Sequence, residues 1–303
     1  MKSQAISVVL SAITALFLNA CATTAGGKSV VDAKPAPSAV AATNTSMIAA
    51  LAPSDNLNAV LWQQTAAEYH ASTLQSFKQA QDALEMLLKQ PTMTAAVEQA
   101  GSFSGLPPAV VVDVDETMLD NSAFQARLIK TNAVFAESDW ATWCNEHAAL
   151  PIPGAREFSN FANSRGVRII YLSNRDVSLT EVTRQNLAEH GFSDTSNTAT
   201  FLFRDKANQM DTKGQRRTFA AQKYRIVMLI GDNLGDFHEG YKATSAARRT
   251  LVTDFSDYWG SRWIMIPNPT YGSWEQTLYG FDNAATPEFI RQKKLDALRL
   301  QLN

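Results

Sequence analysis

Val110-Val111-Val112-Asp113-Val114-Asp115-Glu116-Thr117 is the stretch on which the reading of this chain turns. Three valines form a short apolar run that predicts a buried strand, and the run empties into two aspartates spaced two apart. Side chains at i and i+2 of a strand project to one face. With strand geometry continued to the end, the two carboxylates meet at the carboxyl edge of a sheet, where open α/β sheets bind ligands. One carboxylate of such a pair can attack while the other moves a proton or helps hold a metal. The pattern points to phosphoryl-transfer chemistry.

Working outward, further strands are predicted at 167–172, 200–203 and 225–230, with helices at 179–190 and 216–222 between them. Strands alternating with helices imply a parallel sheet built from βαβ units. Ahead of the first strand, Ser54-Asp55-Asn56 offers a helix start. Apolar residues then recur at Leu57, Val60, Leu61, Leu74, Phe77, Leu84 and Leu87, which suggests one or two amphipathic helices. Pro107-Pro108 separates these helices from the first strand, and 287–302 reads as a closing C-terminal helix. The expected fold is one α/β domain over 54–303: a small helical part at 54–106, a catalytic core at 107–282 and a C-terminal helix at 284–302.

Three later segments bring what a phosphoryl-transfer site needs. The second strand ends in Ser173-Asn174-Arg175, where a hydroxyl and neighbouring backbone amides can bind phosphate oxygens. Lys213, just before the last predicted strand, could neutralise both the phosphate and the attacking carboxylate, and Lys206 competes for that role. The strand at 225–230 leads into Gly231-Asp232-Asn233-Leu234-Gly235-Asp236, a third apolar run ending in carboxylates. Magnesium favours a few carboxylate or carbonyl oxygens together with water and substrate phosphate. Asp113, the Asp115 backbone carbonyl and Asp232 could form that shell, with Asp236 orienting it from behind. Any one acidic strand end reads equally well as a turn or a helix cap. Several of them in matching order are poorly explained that way.

Net charge is −2 and 45% of residues are hydrophobic, which fits a globular domain. With no basic excess or Lys/Arg run, a nucleic-acid polymer is not an expected partner. The N-terminus reads as a targeting segment, with Lys2 followed by an apolar stretch from Ala5 to Leu18 that is too short for a transmembrane helix. Leu18-Asn19-Ala20-Cys21 resembles a bacterial lipobox; the alternative is an ordinary cleavage site beside a coincidental cysteine. The lipobox reading makes 1–20 a signal peptide, Cys21 the lipidated first residue and 21–53, rich in Ala, Thr, Ser, Pro and Val, a flexible tether. Ala22 in place of aspartate favours the outer membrane in a Gram-negative cell envelope. Cys144, the only other cysteine, is then unpaired and reads as a packing residue.

These elements, in this order, resemble the haloacid dehalogenase (HAD) superfamily, and Asp113-Val114-Asp115-Glu116-Thr117-Met118-Leu119-Asp120-Asn121 resembles its class C acid phosphatases. That family includes bacterial lipoprotein 5′-nucleotidases. The likeness extends to Leu61-Trp62-Gln63-Gln64-Thr65-Ala66-Ala67-Glu68-Tyr69, Asp139-Trp140-Ala141-Thr142-Trp143, Ile152-Pro153-Gly154-Ala155 and Pro267-Asn268-Pro269-Thr270-Tyr271-Gly272-Ser273-Trp274-Glu275. The resemblance implies a HAD-like Rossmannoid sheet flanked by helices and a Mg²⁺-dependent phosphomonoesterase. It makes Asp113 the nucleophile of an aspartyl-phosphate and Asp115 the proton donor and acceptor. Mg²⁺ would rest on Asp113, the Asp115 carbonyl and Asp232, supported by Asp236, while Ser173, Asn174 and Lys213 hold the phosphoryl group. Trp140 and Tyr271 match aromatics that resemble a stacking clamp for a nucleotide base; packing in the core is the other reading of both. Substrates implied are 5′-nucleotides, nicotinamide mononucleotide among them, and aryl phosphates. A broad acid phosphatase without nucleotide preference and a silent phospholigand-binding lipoprotein are the alternatives. Ser173 stands where threonine is also common in the superfamily and keeps the hydroxyl, so function is expected to survive. Ala123-Phe124 near the site is a second departure, expected to bear on fine substrate preference rather than chemistry.

Overall fold

The computed structural model describes residues 54–300. Cys21 and the expected signal peptide and tether lie outside the described residues. Two helices lead the domain, α1 (Leu57–Thr65) and α2 (Ala67–Leu88), separated by Ala66 in an extended conformation. Along α2, Tyr69, Thr73, Phe77, Ala80, Leu84 and Leu87 recur at three- and four-residue spacing and are buried, so one face of the helix enters the core.

The chain continues through β1 (Pro108–Val112), β2 (Leu119–Asp120), α3 (Ser122–Thr131), α4 (Glu137–Asn145), β3 (Leu150–Pro151) and α5 (Ala155–Ser164). Then come β4 (Arg168–Asp176), α6 (Thr180–Glu189), β5 (Phe201–Arg204), α7 (Lys213–Ala221) and β6 (Arg225–Gly231). The last elements are α8 (Ser245–Asp254), β7 (Trp263–Met265), α9 (Ser273–Gln276) and α10 (Pro287–Asp296). Five strands make a parallel sheet in the order β5-β4-β1-β6-β7, and β2 pairs antiparallel with β3. The expected α/β class therefore holds, and β1 lies at the centre of the sheet with β4 and β6 beside it.

Alternation along the strands divides the core in two. Val110 and Val112 of β1, with Ile169 and Tyr171 of β4, pack with Phe77 and Phe158 under the leading helices. Val111, Ile170 and Leu172 pack on the opposite face with Ala220, Phe237 and Trp263. A register shift pairs Ala109 with Ile226 but Val110 with Met228, so Val227 has no partner on β1. As a result Val227 and Met228, though adjacent, both join the first core.

Several boundaries differ from expectation. Pro108 starts β1 rather than separating it from the helices, a place where proline costs no needed donor. The second strand runs past Leu172 to Asp176, with an irregularity between Ser173 and Asp176. α7 starts at Lys213 rather than at 216, because Thr212 and Gln215 form a reciprocal capping box. The C-terminal helix ends at Asp296, short of 302. β2, β3 and β7 are two or three residues long, too short to leave a periodic signal.

Candidate active site

The strand geometry expected to bring Asp113 and Asp115 together ends at Val112. Asp113 still donates its backbone N–H to Ile230 O at 2.9 Å, which ties it to β6. Beyond it the chain turns sharply: Met118 and Leu119 both donate to Val114 O at 2.9 Å, and Glu116 adopts a left-handed φ of 57°. The two carboxylates consequently serve different partners.

Asp113 forms a buried ion pair with Lys213, whose ammonium also meets Asp236 at 2.5 Å. Carboxylate oxygens of Asp113, Asp232 and Asp236 all lie within 4.8 Å of one another. Asp232 accepts from Asn268 Nδ2 at 2.7 Å, and Asp236 accepts from the Asn233 backbone N–H at 2.9 Å. Gly231 makes this approach possible, since a Cβ there would overlap the Asp236 carboxylate. α7 positions the cluster from below. Its buried Arg217 donates to the Gly235 and Asp236 carbonyls at 3.1 and 2.9 Å and is anchored by Glu98 at 2.6 Å. The adjacent Arg216 donates to the Ser173 carbonyl and to Asn174 Oδ1, so the same helix grips the ends of β4 and β6.

Burial pushes the Asp113 carboxyl up to about 7; Lys213 opposes that rise, while Asp236 and Asp115 add to it. Burial also raises Asp232 well above the ordinary carboxylate range, followed by the charges of Asp236 and Asp113. Lys213 loses solvation as well, yet its two aspartate partners hold it above the ordinary lysine value. Three carboxylates against one ammonium leave excess negative charge in a buried oxygen-lined site. That donor set fits a divalent cation with hard oxygen ligands. Asp236, expected behind the shell, sits within the carboxylate cluster and is shared with Lys213.

Asp115 faces another set. Its carboxylate accepts from Arg175 Nη2 at 2.8 Å, Asn121 Nδ2 at 3.0 Å and Ser173 Oγ at 3.2 Å. Arg175 is buried, with Nη1 on Thr183 Oγ1 at 2.8 Å. Ser173 is fully buried, and its hydroxyl also accepts the Arg175 backbone N–H at 3.0 Å. Asn174 is exposed, with its side-chain oxygen taken by Arg216. Lys206 is exposed in the loop after β5, so of the two candidate lysines the fold brings Lys213 to Asp113.

Trp140 is only 9% exposed. Phe124 meets its ring edge-on at 5.2 Å, Phe135 lies at 6.3 Å and the Arg175 guanidinium at 5.1 Å. Phe124, part of the Ala123-Phe124 departure, thus shapes the wall around Trp140. Tyr271 is half-buried and its hydroxyl donates to Glu116, which is fully buried. Burial, then the neighbouring Asp115, pushes the Glu116 carboxyl up to about 8. Cys144 is buried, and burial pushes its thiol up to about 12, which suits packing rather than reactivity.

Sequence reasoning gave no role to Arg175, Asn121, Glu116, Arg216 or Arg217. Arg175 and Asn121 stand inside the quoted motifs, and the available signal was that a buried charge needs a partner. Arg216 and Arg217 look like solvated helix residues until the fold buries them.

A parallel sheet with carboxylates gathered at the ends of its central strands defines an α/β protein built for phosphoryl transfer. The family model of the HAD superfamily, subfamily IIIB (acid phosphatase), matches residues 29–274. The chain belongs to that acid phosphatase family. It is similar to the class C acid phosphatase from Bacillus anthracis at 32% identity, covering 80% of this chain and 96% of that one with a TM-score of 0.71. The same Bacillus anthracis enzyme with tungstate bound is matched at a TM-score of 0.72, again with 32% identity and 80% and 96% coverage. The stem 31 kDa glycoprotein of Glycine max is 26% identical over 166 residues, 53% of this chain. The chain spans 58% of the length of that plant relative.

Proposed function

We propose that this protein hydrolyses phosphomonoesters through an aspartyl-phosphate on Asp113, with Mg²⁺ as its cation and 5′-nucleotides among its substrates. The observation that carries the reading is the buried Asp113–Lys213–Asp236 arrangement beside Asp232. In the first step an Asp113 oxygen attacks phosphorus, the bond to the leaving oxygen breaks, and Asp115 gives that oxygen a proton. In the second, Asp115 takes a proton from water as the water attacks phosphorus, which releases phosphate and restores Asp113. Lys213 offsets charge on the nucleophile and on the phosphoryl group, and Asn174 with the neighbouring backbone amides holds its oxygens. The buried Ser173 hydroxyl, expected to join them, is engaged on Asp115 instead. Mg²⁺ bound by Asp113, the Asp115 carbonyl and Asp232, with Asp236 supporting, would supply Lewis-acid neutralisation between two anionic reactants. Tungstate bound by the Bacillus anthracis relative, an oxyanion with phosphate-like shape, supports an oxyanion-binding site in this family member.

Trp140 and Tyr271 support a nucleotide base stacking at the mouth, nicotinamide mononucleotide included. A broad acid phosphatase is the second reading, and the small free area of Trp140 favours it. We further place the protein at the outer membrane of a cell envelope, anchored through Cys21; the lipobox-like segment is the support. Among the described residues no helix is long and apolar enough to cross a membrane.

The test is phosphate release from 4-nitrophenyl phosphate, AMP and nicotinamide mononucleotide, each with Mg²⁺ and with EDTA, alongside Asp113→Asn. Cation-dependent release that disappears in the variant is expected, and nucleotides ranking above the aryl ester would favour the nucleotidase. Folded protein that releases no phosphate from any of the three with Mg²⁺ present would overturn the hydrolase reading in favour of a phospholigand binder.

A further inference from the structure

The donors around Asp115 treat its two oxygens differently. Oδ1 receives Arg175 Nη2 at 2.8 Å, Arg175 Nε at 3.0 Å and Asn121 Nδ2 at 3.0 Å. Oδ2 receives Ser173 Oγ at 3.2 Å and a longer contact from Arg175 Nε at 3.3 Å. Arginine and an amide nitrogen can only donate, so a proton on Oδ1 would face three competing N–H groups. A serine hydroxyl both donates and accepts. Ser173 can donate to an ionised Oδ2 and, by rotating, accept from a protonated one. The two protonation states that acid–base work requires are therefore both accommodated at Oδ2 and only one of them at Oδ1.

Asn121 can supply the third donor at Oδ1 only while its amide faces the right way. Trp143, buried beside it, settles the direction. Its indole N–H donates to Asn121 Oδ1 at 2.8 Å, and an indole nitrogen cannot accept. The amide nitrogen is thereby turned toward Asp115 and toward Glu116 Oε2, at 3.4 Å. The Asn121 backbone N–H also donates to Glu116 Oε1 at 2.8 Å, which holds the residue from its other side. Asn121 and Trp143 are both buried, so solvent does not replace a lost partner.

We propose that Asn121, oriented by Trp143, is a positioning residue that engages Asp115 Oδ1 and leaves Oδ2 as the proton-transfer atom. The proposal rests on the phosphatase reading above. The proton on Oδ2 passes to the leaving oxygen as that oxygen departs with the electron pair of its bond to phosphorus. The freed lone pair on Oδ2 then receives a proton from the attacking water. Proton delivery matters in proportion to the basicity of the leaving oxygen. A nitrophenolate departs nearly unaided, whereas an alkoxide does not.

The experiment measures kcat/KM for 4-nitrophenyl, 4-chlorophenyl and phenyl phosphate and for glycerol 2-phosphate, with wild type, Asn121→Ala and Trp143→Phe. This parameter stops at leaving-group departure and is blind to later hydrolysis of the intermediate. General acid catalysis contributes roughly 10²- to 10⁴-fold, and a mispositioned acid forfeits part of it. Both variants are expected to lose less than about 3-fold on the nitrophenyl ester and about 30-fold or more on the glycerol ester. A loss of equal size along the series would mark a merely structural role and overturn the proposal. If Asn121→Ala fails to fold, Trp143→Phe alone decides, because it keeps an aromatic ring in the core while removing the orienting N–H. Wild type inactive on all four esters would instead overturn the phosphatase reading itself.

Discussion

Asp113 and Asp115 are separated by a single residue, Val114, and stand in opposite surroundings. Asp113 lies among carboxylates, with Asp232 and Asp236 beside it and Lys213 as its cationic partner. Asp115 lies among donors: the Arg175 guanidinium, the Asn121 amide and the Ser173 hydroxyl. Excess negative charge suits a nucleophile that works with a divalent cation, whereas a ring of donors suits a group that must present one oxygen in one direction. Identical side chains acquire different chemistry because the turn after Val112 sends them to different strands: Asp113 to β6 and α7, Asp115 to β4.

The contrast can be broken most severely on the Asp113 side. Lys213→Ala removes the ammonium shared by Asp113 and Asp236, and kcat should fall about 10²- to 10³-fold, as for other deleted electrostatic stabilisers. Steady-state assays at saturating Mg²⁺ check this, and a loss below about tenfold would show that the bound cation alone suffices.

A smaller effect separates the walls of the mouth. If Trp140 stacks on a base, Trp140→Ala should cost AMP about 5- to 100-fold in kcat/KM, the range of single stacking contacts, and 4-nitrophenyl phosphate much less. Equal losses on the two substrates would instead assign Trp140 to packing with Phe124 and Phe135.

An effect on stability rather than activity concerns Glu116, which links the Asp115 side to Tyr271. Its folded carboxyl is raised from 4.5 to about 8, first by burial and then by Asp115. The fold therefore favours the neutral form. Its contribution is complete below pH 4.5 and is lost as pH rises through about 8. In cation-free protein this group should lower stability by up to about 1.4 kcal/mol per pH unit across that window. Glu116→Gln should flatten the decline, gaining on wild type between pH 5 and pH 8.5 in urea titrations with EDTA. A gap between variant and wild type that is the same at both pH values would refute the assignment.

Much of the site was legible because strand ends in a parallel sheet are where ligands bind, and apolar runs ending in polar residues mark them. Asp113, Asp232 and Asp236 stand at such ends, Lys213 stands in the polar segment before the last of these strands, and the fold gathers all four. The donors around Asp115 were not legible in the same way. Arg175 emerges from an irregularity in β4, and Asn121 gains its direction only from Trp143, 22 residues away. Neither relation leaves a periodic trace. The paired arginines of α7 were missed for a related reason. Beside Asn174 and the distant Glu98, their partners are backbone carbonyls of Ser173, Gly235 and Asp236, which carry no residue-type signature.

By itself, then, the sequence determined the α/β class, the central strand and the chemical types at the site, because hydrophobic alternation and residue chemistry are local properties. Only the tertiary structure decided that the two aspartates part company, that Lys213 rather than Lys206 meets Asp113, and which oxygen of Asp115 the Arg175 and Asn121 donors crowd. Those outcomes depend on burial and on the direction of single donors, and both arise only when distant segments pack together.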